Sequence, residues 1–296
     1  MNTKISLTCR AKIYITNVCN LTCDQCNRYN NFNFKGWQSW KDYADQYKQW
    51  GKLIEFTEHL TILGGEPLLN PDIVDWIHGL STAFDVQLQV RSNGLRLNQV
   101  KGLYDALLTA CPSNGKKNYI AMSLHNKDDF PNIRKNILTF LQGKVQQTQS
   151  TGQLTFTDEN DMCVIIQMTD EFVPSGIQNP SPGRYTLHNS DPVEAHKVCE
   201  FARWKSYQFS EGKMHKCAPA HLRPEFDLQN PLDISDEDRK LLNSYQPLTL
   251  DNFDDYHEDF LAKINDPIPQ CKFCANHNTR IKIFPIHKGL KKQLAI

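Results

Sequence analysis

Five short apolar runs, the first four each followed by a loop and then by a stretch long enough for a helix, constrain this chain more than any other feature. Residues 11–16 (AKIYIT), 60–63 (LTIL), 86–90 (VQLQV), 119–124 (YIAMSL) and 164–168 (VIIQM) have the length and β-branched content of strands. Segments 71–80, 97–110 and 129–142 between them read as helices, the first with proline near its opening turn. Between the first two runs, Phe34, Trp37, Trp40, Tyr43, Tyr47 and Trp50 recur in steps of three and four, which marks one aromatic helix face made for core packing. Strand, loop, helix and strand repeated in this way imply right-handed crossovers and a parallel sheet. Five or six such units fit before residue 190, too few for a closed eight-stranded barrel. The expected fold is α/β, a partial (β/α)6-type barrel whose unusual residues sit on the loops after the strands.

Composition narrows the functional classes. The 296 residues are 40% hydrophobic and 22% charged, with formal net charge +0. That is a globular composition without the basic excess of a nucleic-acid binder, so a nucleic-acid partner is not expected. The first residues, MNTKISLTCRAKIYIT, lack the apolar core of a signal peptide, and no run approaches a membrane span. The expected setting is cytoplasmic, with no membrane partner. There, clustered cysteines are more often metal ligands or catalytic groups than disulfides.

A break falls at 174–192, where PSGIQNPSPG reads as a linker or loop. It divides an expected barrel domain (1–190) from a smaller C-terminal domain (191–296). In the latter, residues 204–210 and 213–217 flank Glu211-Gly212 as a hairpin. Residues 225–260 read as an acidic helix-plus-loop insertion, with Asp254, Asp255, Glu258 and Asp259 on a solvated face.

The ten cysteines are placed unevenly. Cys19, Cys23 and Cys26 crowd one loop after the first strand, while Cys9, Cys111 and Cys163 are scattered. A zinc knuckle normally wants four closed ligands; the loop holds no fourth, and His59 is distant in sequence. Three thiols in one loop suit three irons of a cubane cluster and leave a fourth iron open. Late in the chain, Cys199, Cys217, Cys271 and Cys274 make a closed set, equally suited by spacing to a 4Fe–4S cluster or to structural zinc.

Cys19-x3-Cys23-x2-Cys26 after the first strand, followed by Gly64-Gly65-Glu66-Pro67 after the second, resembles the radical S-adenosylmethionine superfamily. The resemblance implies a 4Fe–4S cluster on those three cysteines and S-adenosylmethionine on its open iron. It also implies an external electron donor of the flavodoxin or ferredoxin kind. Gly64 and Gly65 would let the backbone approach the methionine moiety, and Glu66 would accept from its ammonium group. Ser92, Asn93 and Ser123, at later strand ends, match positions that contact the cofactor's carboxylate and ribose in relatives. His125 is a candidate for substrate contact or helix capping. Relatives usually place an aromatic residue where this chain has Gln25, so the adenine contacts differ.

The late pattern, Cys199-x17-Cys217 with Gly212-x4-Cys217 and then Cys271-x2-Cys274, resembles the twitch domain, a shortened form of the SPASM auxiliary-cluster domain. It implies a second 4Fe–4S cluster, and the chain is similar in this respect to 2-deoxy-scyllo-inosamine dehydrogenase. The expected reaction is a net two-electron oxidation of a small molecule, with Arg184 able to depress a substrate hydroxyl's pKa. The first strand starts by about residue 12, which leaves no room for a leader-binding domain before it. Modification of a peptide side chain by the same radical chemistry is the alternative. Radical modification of a nucleotide and a non-catalytic iron–sulfur or zinc scaffold are further ones.

Overall fold

Alternation along each central strand separates a helix-covered face from an open one. The structure, a computed structural model, describes residues 4–23, 26–30, 35–124, 127–168, 177–181, 183–279 and 287–290. Among them one sheet is built from β1 (Arg10–Tyr14), β2 (Leu60–Leu63), β3 (Leu88–Ser92), β4 (Tyr119–Leu124), β5 (Gln146–Ser150), β6 (Gln153–Thr157), β7 (Cys163–Met168), β8 (Ser206–Ser210) and β9 (Lys213–His215). Their order is β9-β8-β1-β2-β3-β4-β7-β6-β5. The run from β8 to β7 is parallel throughout, and β9, β6 and β5 add antiparallel edges.

Helices α1 (Trp40–Leu53), α2 (Ile73–Phe84), α3 (Leu103–Thr109) and α4 (Phe130–Phe140) follow β1 to β4 in turn. Ala11 and Ile13 of β1, Leu60 and Ile62 of β2, Leu88 and Val90 of β3, and Ile120 and Met122 of β4 all join the main core with these helices. Their alternates, Lys12, Thr61, Gln89 and Tyr119, line a cavity on the other face. Buried parallel sheets usually read as continuous apolar runs; here the cavity explains the polar half of the alternation.

The aromatic helix packs as core, starting at Trp40 after its Ser39 cap rather than at residue 34. Phe34 lies outside the described residues. Trp37 is instead bridged to Thr16 and half exposed. Trp40 stacks on Tyr47 and meets Trp76 of α2 edge-on at 5.0 Å, while Trp50 meets Phe209 of β8 at 5.5 Å. Trp50 Nε1 also donates to the Gly212 carbonyl at 2.7 Å.

Two segments depart from the sequence reading. The stretch taken as a linker is a hairpin, Ile177–Ser181 against Arg184–Leu187. Ile177 and Leu187 are buried in a second core with Tyr14, Tyr29, Leu222, Phe226 and Phe273. The break at residue 190 does not divide the sheet either, because β8 pairs with β1 in parallel. The β8–β9 hairpin forms as expected; Glu211 and Gly212 both have positive φ, the geometry of a two-residue type I′ turn.

Beyond β7 come two short helices, α5 (Pro192–Lys197) and α6 (Glu200–Arg203), then α7 (Ala218–Gln229), α8 (Asp236–Asn243) and α9 (Phe253–Ala262). Asp254, Asp255, Glu258 and Asp259 are all exposed. Among the described residues no helix is long and apolar enough to cross a membrane.

Candidate active site

The ends of β1 and β2 are joined by main-chain hydrogen bonds that continue past the strands. Ile15 N–H donates to the Leu63 carbonyl, Gly65 N–H to Thr16 at 2.8 Å, and Glu66 N–H to Val18 at 2.8 Å. The segment 16–18 thus lies directly on Gly64 and Gly65. A Cβ on Gly64 would sit 2.5 Å from the Thr16 oxygen, and one on Gly65 would sit 2.3 Å from the Val18 oxygen. Both glycines are therefore required by this backbone-to-backbone approach, which sets the origin of the cysteine loop. Asn30 clamps the loop's far side: its Nδ2 donates to the Asn17 carbonyl at 2.6 Å, and the Cys26 thiol faces its Oδ1 at 3.7 Å.

Glu66 is 1% exposed and binds three donors of the protein itself. Its Oε1 accepts from Leu68 N–H (3.1 Å) and the Ser92 hydroxyl (2.8 Å), and its Oε2 accepts from Asn93 N–H (2.8 Å). Ser92 Oγ in turn accepts from Gly94 N–H, and Asn93 Nδ2 reaches Asn20 in the cysteine loop at 2.7 Å. Glu66, Ser92 and Asn93 therefore bracket the strand ends and the cysteine loop into one unit.

Burial pushes the Glu66 carboxyl up from 4.5 to about 7, against the pull of its hydrogen bonds from Asn93, Ser92 and Leu68. A carboxyl raised on folding contributes stability that is complete below its unfolded pKa and lost as pH rises through the folded one. The wild-type advantage over Glu66→Gln, measured by denaturant titration of the cluster-free protein, should shrink by on the order of 3 kcal/mol between pH 4.5 and 7. A difference independent of pH would show that Glu66 is ionised in both states.

Cys19, Cys23, Cys26, Gly64, Gly65, Glu66, Ser92, Asn93 and Ser123 all line one cavity of ≈ 500 Å³ on the open face of the sheet. Nine expected site residues thus converge. Ser123 Oγ accepts there from Arg91 at 3.3 Å. Gln25 and His125 lie outside the described residues. Arg184 does not converge: it lies on the outer strand of the 177–187 hairpin, exposed and ion-paired with Asp233, and does not line the cavity.

Cys199, Cys217, Cys271 and Cys274 form a second group beside this cavity. Burial raises the Cys217 thiol most, and the charges of Cys274, Cys199 and Cys271 raise it further, so the four act on one another. The structure also supplies cations that the sequence reading missed. Arg223 on α7 is 2% exposed and donates to Cys274 Sγ at 3.2 Å. Burial alone would lower its pKa, but Cys274 and Tyr29 outweigh that and hold it raised. Arg28, two residues after Cys26, is bonded to Gln208 of β8 and buried; burial lowers its pKa, while Tyr14, Cys26 and Cys217 oppose the shift. One thiol of each group is therefore within electrostatic reach of Arg28.

These donor sets suit thiolate-bound clusters. Burial is the main cause that raises Cys19, Cys217 and Cys271, the last to about 11, so the free thiols hold their protons. Metal binding would displace those protons. Soft thiolates select zinc or iron–sulfur centres over hard cations. The first set has three thiols on the wall of an open cavity, which leaves one coordination position for a small molecule. Among the described residues no group of three or more His, Cys, Asp or Glu side chains is arranged around a single metal ion.

No curated protein matches the chain. Residues 13–139, from β1 through α4 and including the cysteine loop and Gly64–Glu66, match the model of the Radical SAM superfamily, so the chain carries a Radical SAM superfamily domain, whose members are enzymes using a 4Fe–4S cluster and S-adenosylmethionine.

Proposed function

We propose that the protein is a two-cluster radical enzyme that dehydrogenates a small molecule in the cavity. Cys19, Cys23 and Cys26 would hold the first 4Fe–4S cluster, and Cys199, Cys217, Cys271 and Cys274 a second. When bound, the first cluster with S-adenosylmethionine would supply a 5′-deoxyadenosyl radical able to take a substrate hydrogen atom, and the second would supply an acceptor for the electron left after the substrate has also released a proton to solvent. The observation that carries this reading is that Cys19, Cys23 and Cys26 line one cavity with Gly64, Gly65 and Glu66, and that Arg28 on the wall of that cavity is within electrostatic reach of Cys217 in the second thiol group.

The chain's own residues have distinct parts in this reading. Glu66, Ser92 and Asn93 hold the cysteine loop against the strand ends. Arg223 offsets thiolate charge in the second group. Leu21 N–H donates to Cys19 Sγ at 3.4 Å and favours its thiolate. A flavodoxin or ferredoxin is the proposed source of the priming electron.

The test is anaerobic reconstitution followed by reduction with dithionite in the presence of S-adenosylmethionine. About eight irons per chain and formation of 5′-deoxyadenosine are expected, from two cubane clusters. Zinc in the second site, with about four irons, would remove the electron-acceptor role. Absence of 5′-deoxyadenosine from fully loaded protein would remove the radical function.

A further inference from the structure

The open face of the sheet carries more positive charge than its own carboxylates balance. Arg10, Lys12, Arg28 and Arg91 line the cavity, against Glu66 and Glu200. Glu66 is occupied by its three donors, and Arg10 is paired with Glu58 at 3.3 Å. Among the described residues Arg91 is held only by neutral groups, Ser123 (3.3 Å), Gln167 (3.2 Å) and Gln89 (3.5 Å). Lys12 has no hydrogen bond or ion pair among the described residues; its ammonium lies 5.0 Å from the Phe201 ring. Burial, then Arg28 and Arg91, push Lys12 down to about 7, with Glu200 opposing and Arg10 adding to the shift.

A second, independent feature points the same way. Ser206 of β8 also lines the cavity, is 2% exposed, and its buried hydroxyl has no hydrogen-bond partner among the described residues. Ser206 is in register with Arg10, two residues before the Gln208–Lys12 pair. A buried hydroxyl is rarely left unpaired unless something absent from the protein satisfies it. Lys12 is in register with Thr61, and Arg91 follows one row later on β3. Two strand spacings separate β1 from β3, about 10 Å; the Arg91 guanidinium turns to Ser123 of β4 and Gln167 of β7, whereas Lys12 and Arg28 both lie over the Phe201 ring, at 5.0 and 5.9 Å, so these two stand together and Arg91 stands across the cavity from them. Thr61 to Gly64 is a further three residues, or about 10 Å, toward the cysteine loop. The cavity therefore has a cation-rich end and a thiol-lined end.

We propose that Lys12 and Arg28, with the Ser206 hydroxyl on their side and Arg91 facing them across the cavity, form an oxyanion subsite, and that the substrate of the radical site carries a phosphate or carboxylate there. This substrate class rests on the radical reading above. The protein would bind the anionic end of the substrate on the strands and present its other end toward the cysteine loop.

Equilibrium dialysis of the reconstituted full chain with labelled inorganic phosphate, and separately with succinate, tests this directly. One saturable site per chain is expected for at least one of the two, and the tighter ligand names the group. Lys12→Met and Arg91→Met should each weaken binding about tenfold or more, as expected for the loss of a charge-assisted contact, and the exposed Arg134→Met should not. Binding should persist under saturating S-adenosylmethionine. Lys12→Met should also raise the melting temperature in anion-free buffer, because it removes an unpaired cation from among like charges; a lysine held for structure would give the opposite. No saturable binding, indifference to both substitutions, displacement by S-adenosylmethionine or a lowered melting temperature would each overturn the subsite. Because binding is read without turnover, loss of 5′-deoxyadenosine with anion binding intact would count against the radical function alone.

Discussion

Alanine at Cys19, Cys23 and Cys26 together is expected to reduce 5′-deoxyadenosine formation to background and to remove about four irons per chain, leaving about four. The three thiols stand on one cavity with Gly64, Gly65 and Glu66, and S-adenosylmethionine binding depends on the cluster they would hold. The loop's position does not depend on the sulfur atoms, because Thr16 and Val18 are bonded to Gly65 and Glu66, and Asn30 to Asn17. The variant should therefore keep its far-UV circular dichroism and its second cluster. Iron and sulfide analysis with chromatography of the cleavage products reads both outcomes. Cleavage at the wild-type rate would remove these cysteines from the reaction.

The second large effect is expected from Cys271→Ala with Cys274→Ala. Iron should fall by about four per chain, substrate-dependent turnover should stop, and reductive cleavage of S-adenosylmethionine should continue. A stability cost should accompany this, because Arg223 is deeply buried and donates to Cys274. Removing the partner of a buried charge costs about 3–5 kcal/mol. Adding Arg223→Met to the double variant should recover part of the loss, since a buried cation that keeps Tyr29 but has lost its thiol is then gone. Retained substrate turnover in the double variant would eliminate the second cluster as electron acceptor. An unchanged denaturation midpoint would show that Arg223 is compensated elsewhere.

Much of the fold was legible because each central strand carries a local pattern. LTIL and YIAMSL form β2 and β4 with the expected limits. The hairpin of β5 and β6 was not legible: every residue of β5 is exposed, so its QQTQS shows no apolar alternation. The PSGIQNPSPG stretch misled for a related reason. Its proline and glycine mark a turn, but only contact with Phe226 and its neighbours makes Ile177 and Leu187 into core residues.

The site divides along the same line. Three cysteines at short spacing and a glycine pair after the second strand are local, because a loop between a strand and the next helix can place them without help from distant chain. That much the amino-acid order determined by itself, together with the superfamily it resembles. Tertiary structure decided the rest. It turned Glu66 into a bracket for Ser92 and Asn93, moved Arg184 outward to Asp233, and set β8 beside β1 across what read as a domain boundary. It also brought Arg28, Arg91 and Lys12 to one cavity wall and Arg223 to Cys274. A lysine or arginine in a sequence carries no mark of burial. Its desolvation and its partners come from strands and helices far along the chain, and those long-range contacts are what sequence order alone does not state.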